Sequence, residues 1–242
     1  MSFLKRGDAA RTAVAQADAQ TEARKSASSG TKRFWMKNDT ETRITFLDGT
    51  LTPDNLLDTV IYNEHQVKKD GHWRNWFPCT EDVDNSEPCP ICEQGDGYRP
   101  SLVAVFTVID HSTWKDNKGN IHQYQKQLYV CKREAFKLLQ KLAVKRGGLE
   151  GCTFDVMRSG ERSLSAGNNF DFCEKETLVE IQAKYGLEDV APIDYEEAIP
   201  YLSPSKLQDL GFGTAGTINP GTGGNSKTHS APKSSVNYDS DI

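Results

Sequence analysis

His65, Cys79, Cys89 and Cys92 constrain this chain more than any other feature, with thirteen, nine and two residues between successive members. Cys89-Pro90-Ile91-Cys92 brings two thiolates together through a two-residue turn, and Cys79 with an imidazole completes four N/S donors. Donors of that type at that spacing predict a tetrahedral structural zinc site, one ion per chain. His72 lies closer to Cys79 and is the alternative imidazole. Four protein ligands leave no position for water, so the metal is expected to organise a fold rather than perform hydrolysis. No enzyme is expected. Function is then to be sought on the surface the metal holds in shape.

Both ends of the 242-residue chain look unsuited to packing. Residues 1–30 have almost nothing large and apolar after Val14, and residues 211–242 are dominated by Gly, Ser, Thr, Asn and Pro. Segments of that composition cannot bury enough apolar surface to offset the entropy of ordering. The expected layout is a flexible basic arm at 1–30 and a core at 31–175 with its metal subdomain near 62–100. An acidic helical extension follows at 176–210, then a disordered linker with a short acidic tip at 211–242.

The formal net charge of −5 hides an uneven distribution. Residues 1–30 carry +2, residues 31–173 carry −1 and residues 174–242 carry −6. The acidity sits in the C-terminal third, so a basic groove in the balanced middle requires spatial sorting of charges. The start, Met1-Ser2-Phe3-Leu4-Lys5-Arg6, lacks the apolar region of a secretory signal, and no apolar run approaches membrane-spanning length. A soluble intracellular protein with reduced cysteines is expected.

Hydrophobic alternation predicts strands at Thr40 to Leu47, Leu56 to Tyr62, Trp73 to Phe77 and Leu102 to Ile109. His122 to Val130, Cys152 to Met157 and Ser163 to Phe172 read as three more. One helix is clear, with Ala135, Phe136, Leu139, Leu142 and Ala143 on one face and Gly147-Gly148 as its stop. Lys137, Lys141 and Lys145 recur on another face of it. Short helices are expected at Thr177 to Tyr185 and Ser203 to Leu210. Phe106 is assigned to the core, and Cys131, Cys152 and Cys173 to buried apolar thiols. Short strands with one helix late in the domain suit a mainly β (α+β) fold, a Greek-key barrel of the OB type with an inserted metal loop.

Aromatic residues interleave with cations in Lys32-Arg33-Phe34-Trp35, His72-Trp73-Arg74-Asn75-Trp76-Phe77, Tyr98-Arg99 and Trp114-Lys115. Unpaired bases need flat faces to stack on, and phosphates need nearby cations. Adjacent strand residues face opposite sides, so Trp76 and Phe77 cannot share a surface, whereas Arg74 and Trp76 do.

With these motifs in hand, the chain resembles the single-stranded DNA-binding (helix-destabilising) proteins of T-even-type bacteriophages. The zinc constellation has that family's order, and Lys68-Lys69-Asp70-Gly71-His72-Trp73 is similar to its Lys-Lys-x-Gly-x-Trp stretch. Phe3-Leu4-Lys5-Arg6 is similar to its basic N-terminal self-association motif, and Arg43-Ile44-Thr45-Phe46-Leu47 to its Arg-Phe-Leu strand. The resemblance favours His65 over His72 as the ligand. It implies cooperative, sequence-tolerant cover of single-stranded DNA in phage replication, recombination and repair, in the host cytoplasm. Lys5 and Arg6 would contact the neighbouring copy. Replication and recombination proteins would be recruited through the acidic C-terminus.

One departure is that the family's aromatic strand after the metal module is here Leu102-Val103-Ala104-Val105-Phe106. The stacking residues therefore do not carry over one by one. The expected phosphate contacts are Arg43, Arg74, Arg99, Lys126, Lys132 and Arg133, and the expected platforms are Trp73, Trp76, Tyr98 and Trp114.

Two rival functions have distinct signatures. A zinc deaminase acting on cytosine needs a glutamate two residues after the histidine, and that position is Val67. A zinc-ribbon protein-interaction module would account for the metal but not for the aromatic–cation pairs.

Overall fold

A computed structural model describes residues 7, 11–12, 32–69, 72–83, 87–115, 119–160 and 166–213. The basic arm with Lys5 and Arg6, and the linker with its acidic tip from 214 on, lie outside the described residues. The strands are β1 (Thr40–Phe46), β2 (Val60–Lys69), β3 (His72–Pro78), β4 (Ser101–Asp110), β5 (Trp114–Lys115), β6 (Ile121–His122), β7 (Gln125–Lys132), β8 (Cys152–Arg158) and β9 (Asn169–Lys175). The helices are α1 (Arg133–Arg146), α2 (Leu178–Tyr185), α3 (Tyr195–Ala198) and α4 (Pro204–Asp209). None is long and apolar enough to cross a membrane.

β4 organises the molecule. One of its edges pairs first with β2, over 101–105, and then with β1, over 108–110. Its other edge pairs with β7 from Val103 to Asp110. Both edges are paired and residues 103–110 are all buried, which is why this strand reads as a continuous apolar run. β1 continues to β8 and β8 to β9, giving seven antiparallel strands. The ring-rich core lies against one face, where Phe46 meets Phe106, Tyr129 and Phe154 at centroid separations of 5.5–5.8 Å. Ala135, Leu139 and Ala143 of α1 join it, and Gly147 ends the helix at φ +66°, the left-handed cap that glycine adopts without strain.

The closed OB-type barrel expected from the strand pattern is not formed. No ladder joins β7 to β9 among the described residues. The chain at 32–34 takes the edge of β7 that closure would need: Phe34 N–H donates to Leu128 O at 2.8 Å, and Leu128 N–H to Lys32 O at 2.9 Å. Phe34 and Met36 are buried, and Tyr129 meets Phe170 of β9 across the core at 6.2 Å. The architecture is a strongly curved, open antiparallel sheet with few helices.

Several elements sit where alternation and end signals put them, and the last three residues of β1 are buried on both faces. Thr45 is fully buried, hydrogen-bonded to Thr153 at 2.7 Å and to His111 at 2.8 Å. The acidic extension covers that neighbourhood, with Ile181 of α2 packed on Leu47 and Ile109. Cys131 and Cys152 are buried as expected, whereas Cys173 is exposed because it points outward from the edge strand β9.

The extension is also pinned by a partly buried carboxylate. Asp48 accepts from Thr107 N–H at 3.1 Å and from the Tyr195 hydroxyl, while Ile193 N–H donates to Thr107 Oγ1 at 3.0 Å. Burial pushes the Asp48 carboxyl up to about 6, against the hydrogen bonds from Tyr195 and Thr107, and Glu150 adds to the rise. The folded protein thus binds the proton more tightly than the unfolded chain. This group's contribution to stability is largest below about pH 4 and is lost as pH rises through 6, by about 3 kcal/mol at 1.36 kcal/mol per pH unit. Urea unfolding from pH 4 to 7 should show this component, and Asp48→Asn should remove it; equal pH profiles would contradict the assignment.

Candidate metal centre and adjoining cleft

Strand alternation on the β2–β3 hairpin separates two surfaces. His65 pairs with Phe77, and Gln66 with Trp76. His65 and Phe77 face the metal lobe, while Gln66 and Trp76 face a cleft on the opposite side.

In the lobe, the donor atoms of His65, Cys79, Cys89 and Cys92 lie within 4.8 Å of one another and could hold a metal ion. His65 Nε2 is 3.4 Å from Cys89 Sγ and 3.7 Å from Cys92 Sγ, and Cys79 Sγ is 3.8 Å from Cys92 Sγ. A tetrahedral ion with metal–sulfur bonds near 2.3 Å and metal–nitrogen bonds near 2.0–2.1 Å requires edges of about 3.8 Å and 3.6 Å. The three separations match those edges. His65 Nδ1 donates to Tyr98 O at 2.6 Å, which fixes the ring and leaves Nε2 for the metal. Burial pushes the Cys89 thiol up, but hydrogen bonds with His65 and Thr80 outweigh it and draw the group down to about 5.

The rest of the lobe is apolar. Val67 and Ile91 are buried among the ligands, and Leu207 of α4 and Phe212 close over them. Phe212 meets Phe77 edge-on at 5.4 Å. The extension and the residues just after it therefore pack against the metal lobe.

The cleft behind it has a volume of about 420 Å³. Phe34, Val103, Val130 and Ala166 form apolar lining, and Trp35, Trp76, Lys32, Arg33 and Lys132 also border it. Arg33 lies over the Trp76 ring at 4.4 Å, and Lys32 Nζ lies 4.0 Å from the Trp114 centroid. Trp114 in turn stacks on His122 at 4.2 Å and 18°.

Of the residues expected to meet nucleic acid, Trp76 and Lys132 come together in the cleft, and Trp114 joins it through Lys32. Trp73 and Arg74 lie on β3, with side chains outside the described set. Tyr98 contributes its carbonyl to His65 and its ring to the metal lobe. Arg99 is exposed beside the lobe, and Arg133 is exposed at the first turn of α1. Arg43 forms a two-point ion pair with Asp155, both contacts at 2.8 Å, and Lys126 is held by Asp189 at 2.8 Å.

Lys32, Arg33 and Trp35 belong to an aromatic–cation run but were not placed among the binding residues. Their position depends on the backbone bonds of 32–34 to β7, which no local pattern signals. Glu64 and Tyr62 had a faint signal, since Tyr62, Glu64 and Gln66 alternate onto one face of β2.

No protein-family model matches this chain, and a search of curated proteins returned no significant match.

Proposed function

We propose that the chain binds single-stranded DNA cooperatively and with little sequence preference, protecting it during phage replication, recombination and repair. One structural zinc ion per chain braces the binding surface. The observation that carries this reading is the cleft, where tryptophans and cations converge on an apolar floor. Base stacking on aromatic rings tolerates any sequence, and lysines track the phosphates.

The soft donor set and its tetrahedral edges favour zinc. When bound, the ion supplies a fixed cross-link and no open position for chemistry. His65 and Cys79 flank the same hairpin that carries Trp76, so an intact metal lobe holds one wall of the cleft in place. Val67, buried in that lobe at the position a deaminase needs for its proton-shuttling glutamate, argues against deamination.

Fluorescence anisotropy with labelled oligo-dT over a range of KCl tests the reading. Affinity should fall with salt at a slope of about −0.7 per neutralised phosphate. Trp76→Ala should weaken binding by roughly fivefold to a hundredfold, and Lys132→Ala should flatten the slope by about 0.7. Tighter binding to duplex than to single strands, or a response indifferent to salt, rules the groove out. Absence of binding favours a protein-interaction module.

A further inference from the structure

Arg33 borders the cleft yet is fully engaged by its neighbours. Its Nη1 donates to Glu64 Oε1 at 2.9 Å, and its Nη2 donates to Tyr62 Oη at 3.0 Å and to Glu64 Oε2. Tyr62 Oη donates to Glu64 Oε2 at 2.6 Å. The side chains of Arg33 and Glu64 are only 18% and 7% exposed. Against this fixed fork lies the Trp76 ring, with the guanidinium carbon 4.4 Å from its centroid.

We infer that Glu64 and Tyr62 are positioning residues that hold Arg33 against one face of Trp76, so that Trp76 offers a nucleobase a single stacking face and Arg33 contacts no phosphate. This rests on the single-stranded DNA reading above. A planar guanidinium bound at both carboxylate oxygens is rigid, and its fork geometry sets the plane of the ring it covers. Its charge is neutralised where it stands, so it displaces no counterion from DNA and adds nothing to the salt dependence. The cleft's phosphate contacts then fall to lysines, Lys132 being exposed at its border. In sequence Arg33 is one cation of an aromatic–cation run. Its partners assign it to the stacking wall.

Four proteins test this: wild type, Glu64→Gln, Tyr62→Phe, and the double variant Arg33→Met with Glu64→Met. Each is measured for oligo-dT affinity against KCl, and by fluorine NMR after fluorotryptophan labelling, with Trp76→Phe identifying the Trp76 resonance. Glu64→Gln leaves Arg33 with an uncompensated charge, so the salt slope should steepen by about 0.7 and the Trp76 resonance should shift in the free protein. Tyr62→Phe keeps the ion pair but removes a hydrogen bond from each partner, so its slope should match wild type while the Trp76 resonance shifts less than in Glu64→Gln; it serves where Glu64→Gln fails to fold. The double variant exchanges a buried ion pair for apolar side chains, a change that folded proteins often tolerate. Its slope should equal the wild-type value, with affinity lowered severalfold by the altered platform.

A slope unchanged in Glu64→Gln, an unmoved Trp76 resonance in Tyr62→Phe, or a slope flattened by about 0.7 in the double variant overturns the inference. Failure of the wild type to bind oligo-dT at any salt sinks the single-strand reading and, with it, the nucleobase as ligand. The clamp is then judged by fluorine NMR of the free protein, where an unmoved Trp76 resonance in Glu64→Gln refutes it.

Discussion

Cys89→Ser is expected to lose its metal and much of its thermal stability, the largest effect of any single change in this chain. Structural zinc in small folds contributes an apparent binding free energy on the order of 10 kcal/mol, and one missing thiolate opens the tetrahedron. The loss should spread beyond the ligands. Leu207 and Phe212 pack on Val67, Ile91 and Phe77, so the C-terminal extension docks onto a surface that exists only while the lobe is folded. Metal content by atomic emission should fall well below one ion per chain. Trypsin should then cut faster after Lys206 in α4, a helix held in place through the buried Leu207. The exposed thiol of Cys173 provides the control, since Cys173→Ser should retain full metal. Equal metal content in the two variants would falsify the tetrad.

Phe46→Ala should destabilise the sheet by about 3–5 kcal/mol, the range for deleting a buried aromatic from a packed core. Phe46 is fully buried and meets three rings, edge-on to Phe106 at 81°, Tyr129 at 61° and Phe154 at 89°. These rings come from β4, β7 and β8, so one cavity loosens contacts among four strands. Edge-to-face pairs add to the area term, which places the expected loss in the upper part of the range. The melting midpoint should fall by roughly 10 °C for a folded unit of this size, with metal content unchanged. A drop below about 1 kcal/mol would mean that the site collapses freely and is not the centre of the core. Together the two variants separate the metal lobe from the sheet.

Much of the fold could be read locally. β1 and β4 lie within a residue or two of their apolar patterns, and α1 ends at Gly147 because the paired glycines stop it. Thr177 and Ser203 cap α2 and α4 through their own side chains. β2 is less legible: it begins at Val60 and runs on to Lys69, where the polar Glu64 and His65 are held by Arg33 and Tyr98 far along the chain. Barrel closure is not legible in the strand pattern for a related reason. The pattern counts strands, but the edge of β7 is taken by the chain at 32–34, which carries no strand signal.

The charged residues show the same division. Arg43, Lys126 and Arg33 look alike as isolated cations, yet Asp155, Asp189 and Glu64 hold them at separations of 112, 63 and 31 residues. Lys132 borders the open cleft instead. No local rule tells these cases apart, since each depends on which carboxylate the folded chain brings near.

Spacing picked out three thiolates that could serve a metal, because a short turn presents two of them, but it left His65 and His72 open as the fourth donor. Periodicity alone determined that the chain is mainly β, since side chains alternate with the backbone whatever lies beyond. Only the tertiary structure decided that the sheet stays open, that the acidic extension packs on the metal lobe, and that Arg33 faces an indole rather than solvent. Those outcomes depend on contacts between segments remote in sequence, where burial decides which polar groups must find each other.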